Sequence, residues 1–273
     1  MNARTVLFVA CLVVTAALSQ PGTDRALAAA PARMIDVIAH RGAHEHAPEN
    51  TLPAFQAAID LGVDWVEIDV GTTADNHMVV LHDRTVDRVT NGTGALREKT
   101  LAEVRALDAG VRFDSSFAGT RIPTADEALA LMRGKVQVYL EVKEASPDSI
   151  IALLRRHDML ASTIVYDDIA ALAAMRQIEP RVRLLVPRPP KDLAALPALA
   201  ARLHPAFFGS SYAEITSEIS AACHAVGALV DVNNMRADNP EGWQYTIDRG
   251  GDGLETDRPA ALLAFLRERG LHR

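Results

Sequence analysis

The sequence predicts an α/β fold of the parallel (β/α)₈ type, a TIM barrel, with a small insertion after its second strand. Short apolar, β-branched runs alternate with amphipathic stretches from about Met34 to the C-terminus. Eight such runs can be counted. The chain left after an N-terminal leader, about 245 residues, is close to the usual length of one such barrel. A doubly wound open sheet gives a similar alternation and is the alternative fold.

The strands are expected at Ile35–Ala39, Trp65–Val70, Val136–Glu141, Thr163–Tyr166, Val182–Val186, Ala206–Gly209, Leu229–Val232 and Gly253–Thr256. Several are apolar almost throughout, as strands buried on both faces must be. The helices between them carry start signals. Asn50 stands where it can cap a helix with Leu52, Phe55 and Ile59 on one face. Thr124 and Glu127 form a capping box ahead of Leu129 and Met132. Ser146-Pro147 places a cap residue and then proline at the first helical position. Asp257 stands before the last helix, with Leu262, Leu263 and Leu266, as its cap. The segment 71–121 breaks the alternation. Gly71–Asn76 is turn-rich, and the gap to Met78–Leu81 is too short for a crossover helix, so that run should return antiparallel. The polar stretch that follows completes an insertion between the second strand and the second helix. The barrel domain therefore runs over 34–273, with 71–121 inserted.

Composition sets the outer bounds. With 49 % apolar and 23 % charged residues the chain is globular rather than disordered. Its 16 glycines and 14 prolines show no period, which excludes collagen-like architecture. A net charge of −7 argues against a nucleic-acid partner, which would need a basic stripe. Residues 1–28 have the pattern of a signal peptide: Arg4, then an apolar run over Thr5–Leu18, then small residues around Ala26–Ala30. The mature protein is then exported, periplasmic or secreted, with no stable membrane insertion. Cys11 leaves with that leader, so only Cys223 remains and no intramolecular disulfide forms. The spacing of Cys223 from Ile219 and Val226 makes it a packed thiol. The residues point to no particular oligomeric state.

Functional residues of a barrel gather at the carboxyl ends of its strands. Here those ends read His40-Arg41-Gly42, Glu67-Ile68-Asp69 and Glu141-Val142-Lys143, and the hairpin run ends in His82-Asp83. Residues two apart in a strand share a side. Glu67 and Asp69 therefore point together to the barrel axis, as do Glu141 and Lys143. Three carboxylates in a barrel wall repel unless paired or metal-bound. Oxygen ligands of that kind suit a hard divalent cation, Ca²⁺ or Mg²⁺, rather than zinc. Arg41 and Lys143 beside it form a cationic cup for a phosphate oxyanion. Two flanking imidazoles, His40 and His82, can act as general base and general acid. Taken singly each piece is commonplace: Glu-x-Asp is usually structural, and Glu141 with Lys143 can be an internal ion pair. Their fall at equivalent strand ends is the stronger signal.

In series, His40-Arg41-Gly42-Ala43, Ala47-Pro48-Glu49-Asn50-Thr51, Glu67-Ile68-Asp69, Val79–Asp83, Leu140–Lys143 and Asp252–Pro259 resemble the glycerophosphodiester phosphodiesterase family over nearly all of the mature chain. The resemblance implies a barrel with a capping insertion. It implies metal-dependent hydrolysis of a small glycerophosphodiester to sn-glycerol 3-phosphate and an alcohol. It implies His40 and His82 as the acid/base pair and Glu67, Asp69 and Glu141 as metal ligands. Arg41 and Lys143 then contact the phosphate, while Glu49 and Asn50 lie at the edge of the site or cap the first helix. The mechanism it implies uses the substrate's own glycerol hydroxyl as nucleophile, through a cyclic phosphate. One departure concerns the alcohol: where the family often has tryptophan in a Val-Trp-Thr-Val-Asn pattern, this chain has Asn233, with Asp231 on the same side of the strand. Another is Glu255, where the family often has an apolar or small residue. Trp243, further on, is expected to pack.

Two other functions compete. A phospholipase-D-like or lysophospholipid-cleaving enzyme on the same barrel would need an apolar groove, for which Leu96, Val111, Phe113 and Phe117 are the candidates. A binding protein that holds phosphate without cleaving it would not need both His40 and His82.

Overall fold

The structure, a computed structural model, describes residues 34–273. The leader expected over 1–28 lies outside the described residues. The chain opens with β1 (Asp36–Ala39), α1 (Leu52–Leu61), β2 (Trp65–Thr72) and the short β3 (Met78–Val80). Next come α2 (Leu101–Ala106), α3 (Ala125–Met132), β4 (Gln137–Val142), α4 (Pro147–Arg156), β5 (Thr163–Tyr166) and α5 (Ile169–Ile178). Then follow β6 (Arg183–Val186), α6 (Leu196–Leu203), β7 (Phe207–Ser211) and α7 (Ser217–Ala225). The last elements are β8 (Leu229–Asn233), α8 (Pro240–Asp248), β9 (Gly253–Thr256) and α9 (Pro259–Glu268).

Closure is decided at β1. It pairs parallel with β2 on one side, Ile38 beside Trp65, and with β9 on the other, Asp36 beside Gly253 through Ala39 beside Thr256. The ring therefore has no free edge, and the open doubly wound sheet is excluded. All eight expected strands are present, each displaced by no more than two residues at either end.

Strand alternation builds two apolar layers. Outward residues such as Val66, Ile68, Val138, Leu140 and Val230 pack beneath the helices. Inward residues Ile38, Trp65, Tyr139, Ile164, Leu185 and Phe207 fill the lower barrel, where Trp65 and Phe207 meet edge to face at 5.8 Å. Above that plug the inward positions of β2 become acidic: Glu67, then Asp69. The barrel is thus packed at its base and polar at its mouth.

The antiparallel return is present as β3, with Val70 beside Val80 and Thr72 beside Met78. The polar stretch after it has a core of its own. Val79, Leu81, Val86, Leu96, Val104 and Ile122 form a separate buried cluster. Leu96 sits in a short 3₁₀ turn, Val104 in the six-residue α2 and Leu81, Val86 and Ile122 outside any helix, pieces too brief to show a period in sequence.

Four expected helix caps can be compared directly. The capping box Thr124/Glu127 closes in both directions, and the Ser146 oxygen accepts from the Ser149 N–H. Asn50 does not cap α1. The N-cap is Thr51, without a side-chain cap bond, while Asn50 turns to φ +55° and bonds to Asp69. Asp257 does not cap α9 either; Arg258 holds that place and Asp257 accepts from two histidines instead. In both cases a tertiary partner at the barrel mouth outweighs a local cap. Cys223 is fully buried on α7, as the spacing implied.

Candidate active site

Register brings the acidic residues together. β2 and β4 pair with Asp69 beside Glu141, and β8 and β9 with Asn233 beside Glu255. One oxygen from each of Glu67, Asp69 and Glu141 lies within 4.8 Å of the others. Glu67 is 1 % exposed and Asp69 is fully buried. The Glu67 Oε2 accepts from the Arg41 backbone N–H at 2.7 Å, but its Oε1 is buried without a hydrogen-bond partner. Burial, together with Asp69, Glu255 and Glu141, raises the Glu67 carboxyl well above the usual range. An orphaned buried oxygen inside a cluster of like charges fits a divalent cation.

Two basic side chains meet this cluster through the two oxygens of Asp69. The Lys143 Nζ lies 3.1 Å from Asp69 Oδ1 and also pairs closely with Glu141. Arg41 Nε is 3.4 Å from Asp69 Oδ2, and its Nη1 donates to Glu49 Oε1 at 3.0 Å. Burial alone would depress both cations, but Asp69 and its neighbours raise them, so both stay charged. Asn50 Nδ2 donates to Asp69 Oδ2 at 2.7 Å, and the Asp69 N–H returns a bond to Asn50 Oδ1 at 3.3 Å. Glu49 sits between Arg41 and Arg88, taking two bonds from Arg88 at 2.6 and 2.8 Å.

Each candidate imidazole is oriented by a carboxylate. His40 Nδ1 lies 2.6 Å from Asp257 Oδ1, which also meets His44 Nε2 at 2.9 Å. Burial would raise Asp257, but the bonds from His40 and His44 bring it well below the usual range, so it is a carboxylate. That Asp257 hydrogen bond also raises His44. His82 Nδ1 lies 2.7 Å from Asp83 Oδ1, and Asp83 is held at about 2, chiefly by Arg88. A carboxylate at Nδ1 calls for the N–H there, which leaves Nε2 of each ring available to accept or, when protonated, to give a proton.

Of these groups His40, Arg41, His82, Glu141 and Lys143 line one cavity of about 590 Å³ at the barrel mouth. The sequence-derived residues therefore converge. Glu49 and Asn50 act on it from behind, through Arg41 and Asp69.

Comparison with known proteins identifies the group to which this architecture belongs. The model of the glycerophosphoryl diester phosphodiesterase family matches residues 40–261. A glycerophosphodiester phosphodiesterase of Caldanaerobacter subterraneus subsp. tengcongensis is 34 % identical over 249 residues, 86 % of this chain and 98 % of its own. The chain belongs to the glycerophosphoryl diester phosphodiesterase family. A crystal structure of a glycerophosphodiester phosphodiesterase from Agrobacterium tumefaciens is similar at TM-score 0.75 and 31 % identity, covering 85 % of this chain and all of that one. An Oleispira antarctica phosphodiesterase, solved with the product sn-glycerol-3-phosphate, is similar at TM-score 0.77 and 25 % identity, covering 86 % and 97 %.

In this member of the family one wall of the cavity is polar. Asp231 and Asn233 line it together, as strand alternation requires, and Asn233 Nδ2 donates to Glu255 Oε2 at 3.2 Å. Burial pushes Asp231 up to about 8. Burial and the neighbouring carboxylates, Asp231 first, raise Glu255 well above the usual range. Trp243 does not fill the gap; it is buried, packs on Phe265 and donates to Asp238. Leu96 belongs to the core of the insertion; Val111 and Phe113 are exposed, and neither these nor Phe117 lines the cavity. Sequence reasoning missed Asp257, Asp83 and Arg88 as partners of the site. The available signal was position: Asp257 follows a strand end and Asp83 follows His82 directly.

Proposed function

We propose that the protein hydrolyses glycerophosphodiesters to sn-glycerol 3-phosphate and an alcohol, using His40 and His82 as the acid/base pair. The observation that carries this is the gathering of Glu67, Asp69 and Glu141 oxygens beside a cavity lined by His40, Arg41, His82 and Lys143. In this reading Glu67, Asp69 and Glu141 hold one Ca²⁺ or Mg²⁺ ion, an all-oxygen set that suits hard cations. Bound there, the ion supplies Lewis-acid charge to the phosphate. Arg41 and Lys143 orient the phosphate oxygens, and Glu49 and Asn50 keep Arg41 and Asp69 in place.

The hydrogen bonds assign the protons. His40, with Nδ1–H toward Asp257, and His82, with Nδ1–H toward Asp83, each present Nε2 to substrate. One ring, neutral, takes a proton from the attacking hydroxyl. The other, protonated, gives one to the departing alkoxide. The polar cavity wall favours a deacylated substrate over an acylated one. The leader over 1–28 supports export, with the mature enzyme periplasmic or secreted. Among the described residues no helix is long and apolar enough to cross a membrane.

Release of glycerol 3-phosphate from a panel of glycerophosphodiesters, with lysophosphatidylcholine in parallel, tests this. Turnover of the deacylated diesters with Mg²⁺ or Ca²⁺, abolished by EDTA dialysis, is expected. Activity that survives thorough chelation would overturn the carboxylate site. Cleavage of lysophosphatidylcholine alone would replace the proposed substrate class.

A further inference from the structure

A second group of potential ligands shares Glu67 with the first. His40, Glu67 and Glu255 each place one donor atom within 4.8 Å of the other two. We propose that these three residues form a second cation site, selective for a borderline metal such as Zn²⁺, whose filling blocks turnover. The site is distinct from the oxygen-only set because it contains an imidazole, which suits zinc better than Mg²⁺ or Ca²⁺.

Three observations point to a ligand there. Glu67 Oε1, on a residue 1 % exposed, is buried and has no hydrogen-bond partner among the described residues. His40 Nε2 lies 4.0 Å from Glu255 Oε1, too far for a hydrogen bond. Two donors held about 2.1 Å from one tetrahedral zinc ion stand roughly 3.4 Å apart, so a closure of about half an ångström lets these two share an ion. The His40 tautomer is also set correctly. Its Nδ1–H is committed to Asp257 at 2.6 Å, which leaves the Nε2 lone pair free; a carboxylate behind the far nitrogen is the usual support of a metal-bound histidine. Glu255 is steadied in turn by the Asn233 amide at 3.2 Å.

Local charge agrees. Glu67, Asp69, Glu141, Asp231 and Glu255 crowd a mouth in which Arg41 and Lys143 pair with Asp69, while Arg188 and Arg236 line the cavity further out. Among the described residues neither Asp231 nor Glu255 is paired with a lysine or arginine, so a second cation offsets charge there. A third cluster, His40, His44 and Asp257, is a poorer site, because Asp257 Oδ1 is already taken up by both imidazoles.

An ion on His40 Nε2 removes the atom that exchanges a proton with substrate. This inhibitory consequence rests on the proposed role of His40, whereas the binding itself does not. The experiment is therefore direct metal counting. Metal-stripped wild type, dialysed against Zn²⁺ and assayed by elemental analysis and calorimetry, should hold one more equivalent than Glu255→Gln treated identically. Wild-type turnover in saturating Mg²⁺ should fall on adding Zn²⁺, and the inhibition constant should rise at least tenfold in Glu255→Gln. Equal zinc content in the two proteins overturns the proposal. If Glu255→Gln does not fold, wild type alone still decides: one zinc per chain at saturation overturns it, and two with a shifted His40 imidazole ¹⁵N resonance support it. Absence of glycerol 3-phosphate release from every diester would instead strike the proposed reaction and leave the zinc count unaffected.

Discussion

At the scale of single residues, the site is organised less by its reactive groups than by what stands behind them. His40 and His82 come from different strands, yet each has its Nδ1 against an aspartate, Asp257 or Asp83. Replacing either imidazole with alanine should lower turnover by about a hundredfold or more, as loss of a positioned acid or base does. Steady-state kinetics on folded variants would show it, and unchanged turnover in either would remove that residue from the reaction. Asp257→Asn tests positioning separately. An amide can present its NH₂ to His40 and force the other tautomer, so kcat should fall roughly tenfold or more while KM changes little. An equal change in both would mean that Asp257 contributes to binding instead. The candidate residues that the fold brings together were legible in sequence because they cluster at strand ends. The aspartate behind His40 was not, since a carboxylate just before a helix looks like a cap whether or not a histidine claims it. Asp257 shows the ambiguity, and Asn50 repeats it.

At the scale of elements, the barrel strands were the most legible part. Burial on both faces leaves a continuous apolar run, and the interruptions in it, Glu67, Asp69 and Glu141, mark the mouth. The insertion was legible only as an interruption. Its hairpin strand could be deduced from a gap too short for a helix, but its core residues lie in turns too brief for periodicity. The loop after β1 is more tightly specified than its length suggests. Gly42 has φ +83°, and a Cβ there would meet the Ala54 carbonyl carbon at 2.8 Å. Backbone on α1 cannot yield as a flexible side chain would. Gly42→Ala should therefore destabilise the protein by about 1–3 kcal/mol, from strain and the clash together. It should also reduce turnover, because the same loop carries His40 and Arg41. Urea unfolding with parallel kinetics would measure both; a loss of stability with full activity would mean that the loop adapts without moving its side chains. Deeper in the barrel, Phe207→Ala should cost about 3–5 kcal/mol by opening a cavity under Trp65.

For the whole molecule, the polar mouth makes stability depend on pH in an unusual direction. Most shifted carboxyls on the surface are lowered by partners, as Asp83 is, and weaken the fold only when the pH falls through their low folded values. The buried set behaves oppositely. Asp231 is raised from 3.8 to about 8, and Glu67 and Glu255 are raised as well. Between the unfolded and folded values, the folded chain keeps a proton that the unfolded chain has lost. The contribution of Asp231 is therefore complete below about pH 4 and disappears as the pH climbs through about 8. Metal-free protein should accordingly melt at progressively lower temperature from pH 5 to pH 8, a window in which the lowered surface carboxyls no longer titrate. Asp231→Asn, which cannot ionise, should flatten that decline. A divalent cation should raise Tm most at the alkaline end, where it offsets the largest charge. Thermal melts in EDTA and in Mg²⁺ across this range would measure both effects. A variant whose decline parallels that of wild type would show that Asp231 is not its source. A cation effect independent of pH would separate ion binding from the ionisation of the buried carboxyls.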